Sequence, residues 1–600
     1  MRIRPSWLIL LGALSGLAAC TVKSADEADA GAGGGGLGGA GGTGATAGTG
    51  GSAGTVQNGA CGDIPVSGKC DGNTLKMCMV ADDKTAAEKV VSTDCGANRK
   101  CVDPSGKESA KCQLLGECSA GDTSCKNDST LLTCQGTGAS AKWAESTCNA
   151  ANGEKCIFGN PGKTPSKCVV VSSSGTPTKL KGKIQFERRP VKSDNSGWGD
   201  PEAIDAVDVY VGVFNGNDFI GKALTGYDPD TQTFLGDGSF TAELTADITA
   251  ETELWVWAMA FNYETGNPLM ALAHAKGPDM MSNAQTADEY WAFGGVDGSK
   301  VQANLDTTTM TMKPFVITEG MGSGALNVFQ WIDFGLQRTQ GLGPQKSLIV
   351  YWNDKDVPQC GACFCGTQCG GGVVKYGTGE SDVDNYDTWI ALGGPDGDQT
   401  QWAKSVISHE FGHYVMHNNS LSPGEGGQHF VGQASKPGLA YSEAWATSFG
   451  QSNVSTPIYV DQQEGTVFWV DISKYTYSNG NLQKPDPAGP IDQNINENVA
   501  AGMIWKLWAY QSCPNGTCPN DESITIEDPD GQGIGSANIF KTLTYPALVN
   551  GTLNRGYSKV DLVDFLDAAV CSGAATDAQI TAVCDTTGYP YKSADRPACP

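Results

Sequence analysis

Histidine is scarce in this chain, with five in 600 residues. Basic residues are few as well, 40 against 66 acidic ones, which leaves a net charge of −26. That imbalance argues against a nucleic-acid partner and against a polybasic grip on anionic lipid. Beyond the N-terminus no segment reaches eighteen consecutive apolar residues, so nothing reads as a membrane-spanning helix. What the chain has in quantity is glycine, at 79, and cysteine, at 22. So many cysteines in an acidic chain imply an oxidising compartment and disulfides. The length fits three to four domains.

The histidines are concentrated where chemistry is expected. Ile407-Ser408-His409-Glu410-Phe411-Gly412-His413-Tyr414-Val415-Met416-His417 contains His-Glu-x-x-His. Residues four apart share a helix face, so His409 and His413 can offer two imidazole nitrogens to one metal ion. Glu410 projects from nearly the same side and is placed to act as general base on a water. The surrounding helix, from about Gln401 to Asn418, is apolar nearly all round. Trp402 and Val406 share the histidine face; Ile407, Phe411, Tyr414 and Val415 cover the other. Such a helix is buried. The plain alternative is a core helix whose histidines merely satisfy their neighbours.

At the N-terminus, Arg2 and Arg4 precede an apolar stretch, Trp7 to Leu17, of signal-peptide length. Leu17-Ala18-Ala19-Cys20 resembles a bacterial lipobox. The resemblance implies removal of residues 1–19, a lipid on Cys20 as the only membrane attachment, and placement on the outer membrane or cell surface. Ordinary secretion with cleavage after Ala19 is the alternative. Residues 20–60, rich in Gly, Ala, Thr and Ser, read as a flexible tether. Residues 61–168 hold two sets of six cysteines, from Cys61 to Cys112 and from Cys118 to Cys168. Gly72-Asn73-Thr74-Leu75-Lys76-Met77-Cys78 is answered by Asp128-Ser129-Thr130-Leu131-Leu132-Thr133-Cys134, which marks an internal duplication. Each unit has too few large apolar residues for a core, so disulfides are the expected staples. This region lacks Cys-x-x-Cys knuckles, which disfavours zinc there. It reads as a spacer, binding module or pro-region whose ligand is not legible.

Residues 178–318 turn to period two. Leu180, Gly182, Ile184 and Phe186 alternate with polar positions, and Val207, Val209, Val211 and Val213 share a face, which predicts a β-sandwich. Trp255 and Trp257 read as core rather than as a carbohydrate-stacking strand. Residues 320–600 mix helices and strands: a helix over Leu326–Leu336, strands at Ser347–Trp352 and Thr388–Leu392, and helices near 494–508 and 560–571. Asn496 and Glu497 either face the cleft or cap their helix, with capping the expected role. Cys360, Cys363, Cys365 and Cys369 read as two local disulfides rather than a zinc knot, and Cys513 and Cys518 as a small loop. Asp528-Pro529-Asp530-Gly531 is a candidate Ca²⁺ turn whose safer reading is an acidic surface turn. With Cys20 set aside an odd number of cysteines remains, so one is unpaired or bonded to another chain.

Strands, then a buried His-Glu-x-x-His helix, then a second helix resemble the zincin metallopeptidases. A metzincin would carry glycine at 416 and histidine at 419; Met416 and Asn419 exclude that class. Leu439-Ala440-Tyr441-Ser442-Glu443-Ala444-Trp445-Ala446-Thr447-Ser448-Phe449 resembles the second motif of the gluzincins. That resemblance implies an α+β zincin-like metallopeptidase domain over 320–600 with a helical C-terminal subdomain. It implies Zn²⁺ held by His409, His413 and Glu443, Glu410 as general base, and hydrolysis of extracellular proteins or peptides. Thr447 stands where thermolysin-like enzymes have an aspartate bonded to a ligand histidine, so the support of the site must differ. No Gly-x-Met-Glu-Asn stretch is present, which favours an endopeptidase. His429 competes for the third-ligand role, or joins Tyr441, Tyr475 and Tyr557 as candidate stabilisers of an oxyanion. His417, a further turn along, is expected to pack beside the site. The competing reading is a non-catalytic surface-binding lipoprotein on a degenerate zincin scaffold.

Overall fold

A computed structural model describes the chain from residue 69 to residue 600. Besides stretches of one to three residues, it leaves out 80–88, 95–98, 103–110, 115–122, 158–166, 171–177, 262–267, 275–285, 367–371, 376–382, 424–428, 430–433, 478–494 and 509–532. The signal segment, Cys20, the tether, Cys360, Cys369, Cys513, Cys518, the 528–531 turn, Tyr475 and Tyr557 lie outside the described residues. All described residues belong to one unit, Asn58–Pro600. The structure is mixed α/β, with several sheets and, among the described residues, no closed barrel. No helix among the described residues is long and apolar enough to cross a membrane.

The cysteine-rich region is built twice to one plan. Lys69–Asp71, Thr74–Met79 and Lys89–Asp94 form an antiparallel three-stranded sheet, followed by the pair Arg99–Val102 and Lys111–Leu114. Thr123–Asn127, Thr130–Gln135 and Lys142–Thr147 repeat the three strands, and Glu154–Ile157 with Lys167–Val170 repeat the pair. Cys148 is bonded to Cys168, and Cys70, Cys134 and Cys156 are also in disulfides. Leu131, Cys148, Cys156 and Cys168 pack together as a small core. The covalent links supply what so few apolar side chains cannot.

Strand β1 (Thr178–Arg188) begins the next sheet and buries Leu180, Ile184 and Phe186 on one face. A second, four-stranded sheet contains β2 (Tyr210–Asn215) and β4 (Thr252–Trp257), with Asp218–Leu224 and Ala292–Phe293. Strand β3 (Ser239–Leu244) pairs with β1, and Phe240, Ala242 and Leu244 share a core with Val211, Val213, Leu254 and Val256 of the second sheet. Trp257 is buried against Tyr210 and Phe214, so it is core and not a platform.

The expected boundary near 318–320 falls inside a continuous structure. Strand β5 (Pro268–His274) pairs in parallel with β7 (Leu348–Trp352), which pairs in parallel with β9 (Thr388–Leu392). Between β5 and β7 the short strand β6 (Thr311–Met312) joins β1, and helix α1 (Gly324–Thr339) follows it. Met259–Phe261 and β8 (Cys363–Cys365) are the antiparallel edges of this five-stranded sheet. Its side chains alternate between two cores. Leu348, Val350, Ile390 and Leu392 face the helices, while Ile349, Tyr351, Trp389 and Ala391 join Tyr210, Phe214 and Trp257. A sheet covered on both faces needs strands that are apolar throughout, which is why Leu348-Ile349-Val350-Tyr351-Trp352 shows no alternation. Cys363 and Cys365 are both in disulfides.

On the helical side, α2 (Lys404–Asn419) and α3 (Pro437–Asn453) cross at glycines. A Cβ on Gly412 would lie 2.8 Å from the Ala446 Cα, and one on Gly450 would lie 2.9 Å from the His409 nitrogen. Backbone meets backbone there, an approach only glycine permits. Trp445 Nε1 donates to the Gly412 carbonyl at 3.0 Å, and Ser448 Oγ donates to Ala501 O of α4 (Glu497–Trp508) at 2.7 Å. Helix α5 (Leu562–Cys571) packs on α3, and Cys571 is bonded to Cys599. Among the described cysteines Cys584 is free and buried.

Where the β region meets α1, two carboxyls share one amide. Gln337 Nε2 donates to Asp208 Oδ2 at 2.6 Å and to Asp333 Oδ2 at 2.8 Å. Burial lifts Asp208 to about 6, and burial with the Asp208 charge lifts Asp333 well above the carboxylate range. Unfolded, both titrate near 4. The pair's contribution is therefore complete below about pH 4 and is lost as pH rises through about 6. Asp333→Asn supplies an amide N–H where the shared proton sits. It should raise the unfolding free energy at pH 8 by about 1–3 kcal/mol and leave it unraised at pH 4. Urea titrations at the two pH values check this; an equal shift at both would contradict it.

Candidate metal centre

Helix α2 presents His409 and His413 one turn apart, and α3 brings Glu443 across the glycine crossing to meet them. His409 Nε2 lies 3.1 Å from His413 Nε2 and 3.1 Å from Glu443 Oε2, and His413 Nε2 lies 3.2 Å from that same oxygen. The two imidazole planes stand at 85°. Three lone-pair atoms thus form a nearly equilateral triangle at the bottom of a buried site. Among the described residues this is the group of His, Cys, Asp and Glu spaced to hold one metal ion.

Each of these two histidines has a hydroxyl at its other nitrogen. Thr447 Oγ1 is 3.0 Å from His409 Nδ1, and Ser442 Oγ is 3.4 Å from His413 Nδ1. With Nδ1–H donating to the hydroxyl, the Nε2 lone pair of His409 turns to the centre of the triangle. Thr447, four residues after Glu443 on α3, thus meets His409 through a hydroxyl. Partners of this kind are worth about 10–100-fold in metal affinity. Thr447→Val should weaken metal binding by that margin and Thr447→Ser should restore it, in competition with a chromophoric chelator.

The carboxylate of the group is held ionised. Burial pushes Glu443 up, but His413, His429 and the contact with His409 outweigh it and hold the carboxyl well below its ordinary range. Glu410 is buried beside the group and is raised, by burial first and then by Glu443, against the pull of His409 and His413. His429 Nδ1 is 2.9 Å from Glu497 Oε2, and its Nε2 is 3.6 Å from Glu443 Oε2. Burial lowers His429, yet Glu443 and the bonded Glu497 together lift it to about 9.

The other expected residues separate. Tyr441, two positions before Glu443, points away from the group and packs on Phe565. His417 sits by Lys346, 3.2 Å from its Nζ, and against Phe364; burial and that lysine push it down to about 3. The capping expectation holds for Asn496, whose Oδ1 accepts from the Asn498 N–H at 3.0 Å, and fails for Glu497, which turns to His429. One site residue had no signal in the sequence. Tyr459, on strand β10 (Ile458–Gln463) beside α2, sets its ring edge-on to His409 with centroids 6.2 Å apart. Burial and the carboxylates of Asp461, Glu410, Glu497 and Glu443 keep its phenol protonated.

No family model matches this sequence, and no curated protein does. The geometry stands by itself.

Proposed function

We propose that the chain is a zinc metallopeptidase of gluzincin type, acting on extracellular proteins or peptides. The observation that carries this reading is the triangle of His409 Nε2, His413 Nε2 and Glu443 Oε2, with edges of 3.1–3.2 Å. Nitrogen and oxygen ligands about 2.0–2.2 Å from a tetrahedral ion stand about 3.3 Å apart, so the residues fit zinc as they are. Two imidazoles and one carboxylate also match its preference in ligand type. Bound there, zinc would polarise a carbonyl and bring the pKa of water towards about 7.

The chain's own groups supply the proton chemistry. Glu410, whose affinity for a proton is raised by burial, takes one from the attacking water and passes it to the leaving amine. His429, cationic and fixed through Nδ1 by Glu497, offers its Nε2–H to the carbonyl oxygen as negative charge develops. Export is part of the proposal, with the lipid on Cys20 as anchor. The disulfides Cys148–Cys168 and Cys571–Cys599 support an oxidising compartment.

Metal analysis of the purified chain, followed by casein hydrolysis with and without 1,10-phenanthroline, tests the reading. Stoichiometric zinc and chelator-sensitive cleavage are expected. A chain that binds no zinc, or that cleaves casein equally well after zinc is removed, would overturn it.

A further inference from the structure

Far from the histidines in sequence, the surface carries an apolar feature of its own. Phe234 and Leu235 are neighbours and are 60% and 55% exposed. They close a small hairpin in which Tyr227–Asp228 pairs with Thr233–Phe234, and the Tyr227 and Phe234 rings lie 5.1 Å apart. The hairpin stands at the lip of a cavity of roughly 300 Å³ whose floor is the outer face of β1, β3 and β6.

That floor is ordered by register. Lys181 is directly opposite Thr241 on one side and Thr311 on the other, so two hydroxyls flank one ammonium in a single cross-strand row. Alternation along β1 puts Lys179, Lys181 and Lys183 on the same face. Lys179 pairs with Glu243 and Lys183 with Asp205. Lys181, between them, faces the cavity, and among the described residues no carboxylate forms an ion pair with it. Asp228 also borders the cavity, and its Oδ2 accepts from Thr231 Oγ1 at 2.9 Å.

We propose that this cavity binds an acidic saccharide. Tyr227, its ring backed at a tilt of 54° by Phe234, and the exposed Leu235 line the cavity and offer the apolar surface against which the C–H face of a sugar rests, and the threonines exchange hydrogen bonds with its hydroxyls. Lys181 takes the carboxylate of a uronic acid in a charge-assisted hydrogen bond. At Lys181 the strand is bonded on both sides, to β3 and β6, so the floor presents side chains and no free backbone edge. A peptide added as a further strand has nothing to pair with there.

Calorimetric titration of the full chain with trigalacturonate, its methyl ester and tetraglutamate tests this. Trigalacturonate should bind saturably, and Lys181→Met should weaken it about tenfold or more. The methyl ester should bind the parent chain more weakly and be indifferent to Lys181→Met, while Leu235→Ala, which removes apolar surface from the cavity wall, should weaken both sugars. Both side chains are exposed, so neither change opens a core; unaltered near-ultraviolet circular dichroism verifies the fold. Absence of saturable binding, affinity unchanged in both variants, or tetraglutamate binding as well as the sugar would overturn the proposal. The last outcome would mark a site that reads charge alone, in peptides as well as glycans.

Discussion

Glu410→Gln should lower peptide hydrolysis by about 10²–10⁴-fold while the metal stays bound. The change keeps volume and shape but removes the one carboxylate next to the group that ligates nothing in the proposed arrangement. Glutamine cannot take a proton from water, and a buried amide carries no charge to orient it. The three ligand atoms belong to His409, His413 and Glu443, so zinc content should be unaltered. Initial rates on a quenched-fluorescence peptide, measured beside metal analysis of the same preparation, decide it. Full activity with zinc bound would remove Glu410 from the chemistry and the proposed proton path with it.

Much of the site was legible because helices carry their pairings within themselves. His409 and His413 are one turn apart on α2 whatever surrounds them, and the second motif marks Glu443 on a helix of its own. What sequence could not supply was partners across space. Glu497 reads as a helix cap, and only the fold brings His429 to it from 68 positions away. Tyr459 belongs to a strand whose alternation says which residues share a face, not which neighbour they meet. The same limit explains the boundary near 318. The apolar run at 347–352 reads as a strand, but nothing in it names residues 268–274 as its parallel partner.

The glycines show the reverse case, a local signal whose meaning is set by geometry. Gly412 and Gly450 are unremarked helix glycines in the sequence, each costing about 1 kcal/mol relative to alanine. In the fold they let α2 and α3 touch along the backbone. Without that closeness the Glu443 oxygen would not reach a point 3.1 Å from His409 Nε2. The intrinsic cost of glycine is the condition for a site shared by two helices.

Glu443→Ala is the second large effect and separates the two candidates for the third ligand. The Glu443 Oε2 atom lies 3.1, 3.2 and 3.6 Å from nitrogens of His409, His413 and His429. Its removal takes away the proposed carboxylate ligand and the oxygen that the three imidazoles share, leaving Glu410 beside the group and Glu497 on His429. Breaking a buried ionic contact in this way costs about 3–5 kcal/mol. Zinc should therefore be lost on dialysis and hydrolysis with it, in contrast to Glu410→Gln. His429→Ala should keep its zinc and lose rate, because His429 lies outside the triangle and is held by Glu497. The reverse pattern, with zinc retained in Glu443→Ala and lost in His429→Ala, would make His429 the third ligand. The carboxylate would then be left as the group that orients the histidines.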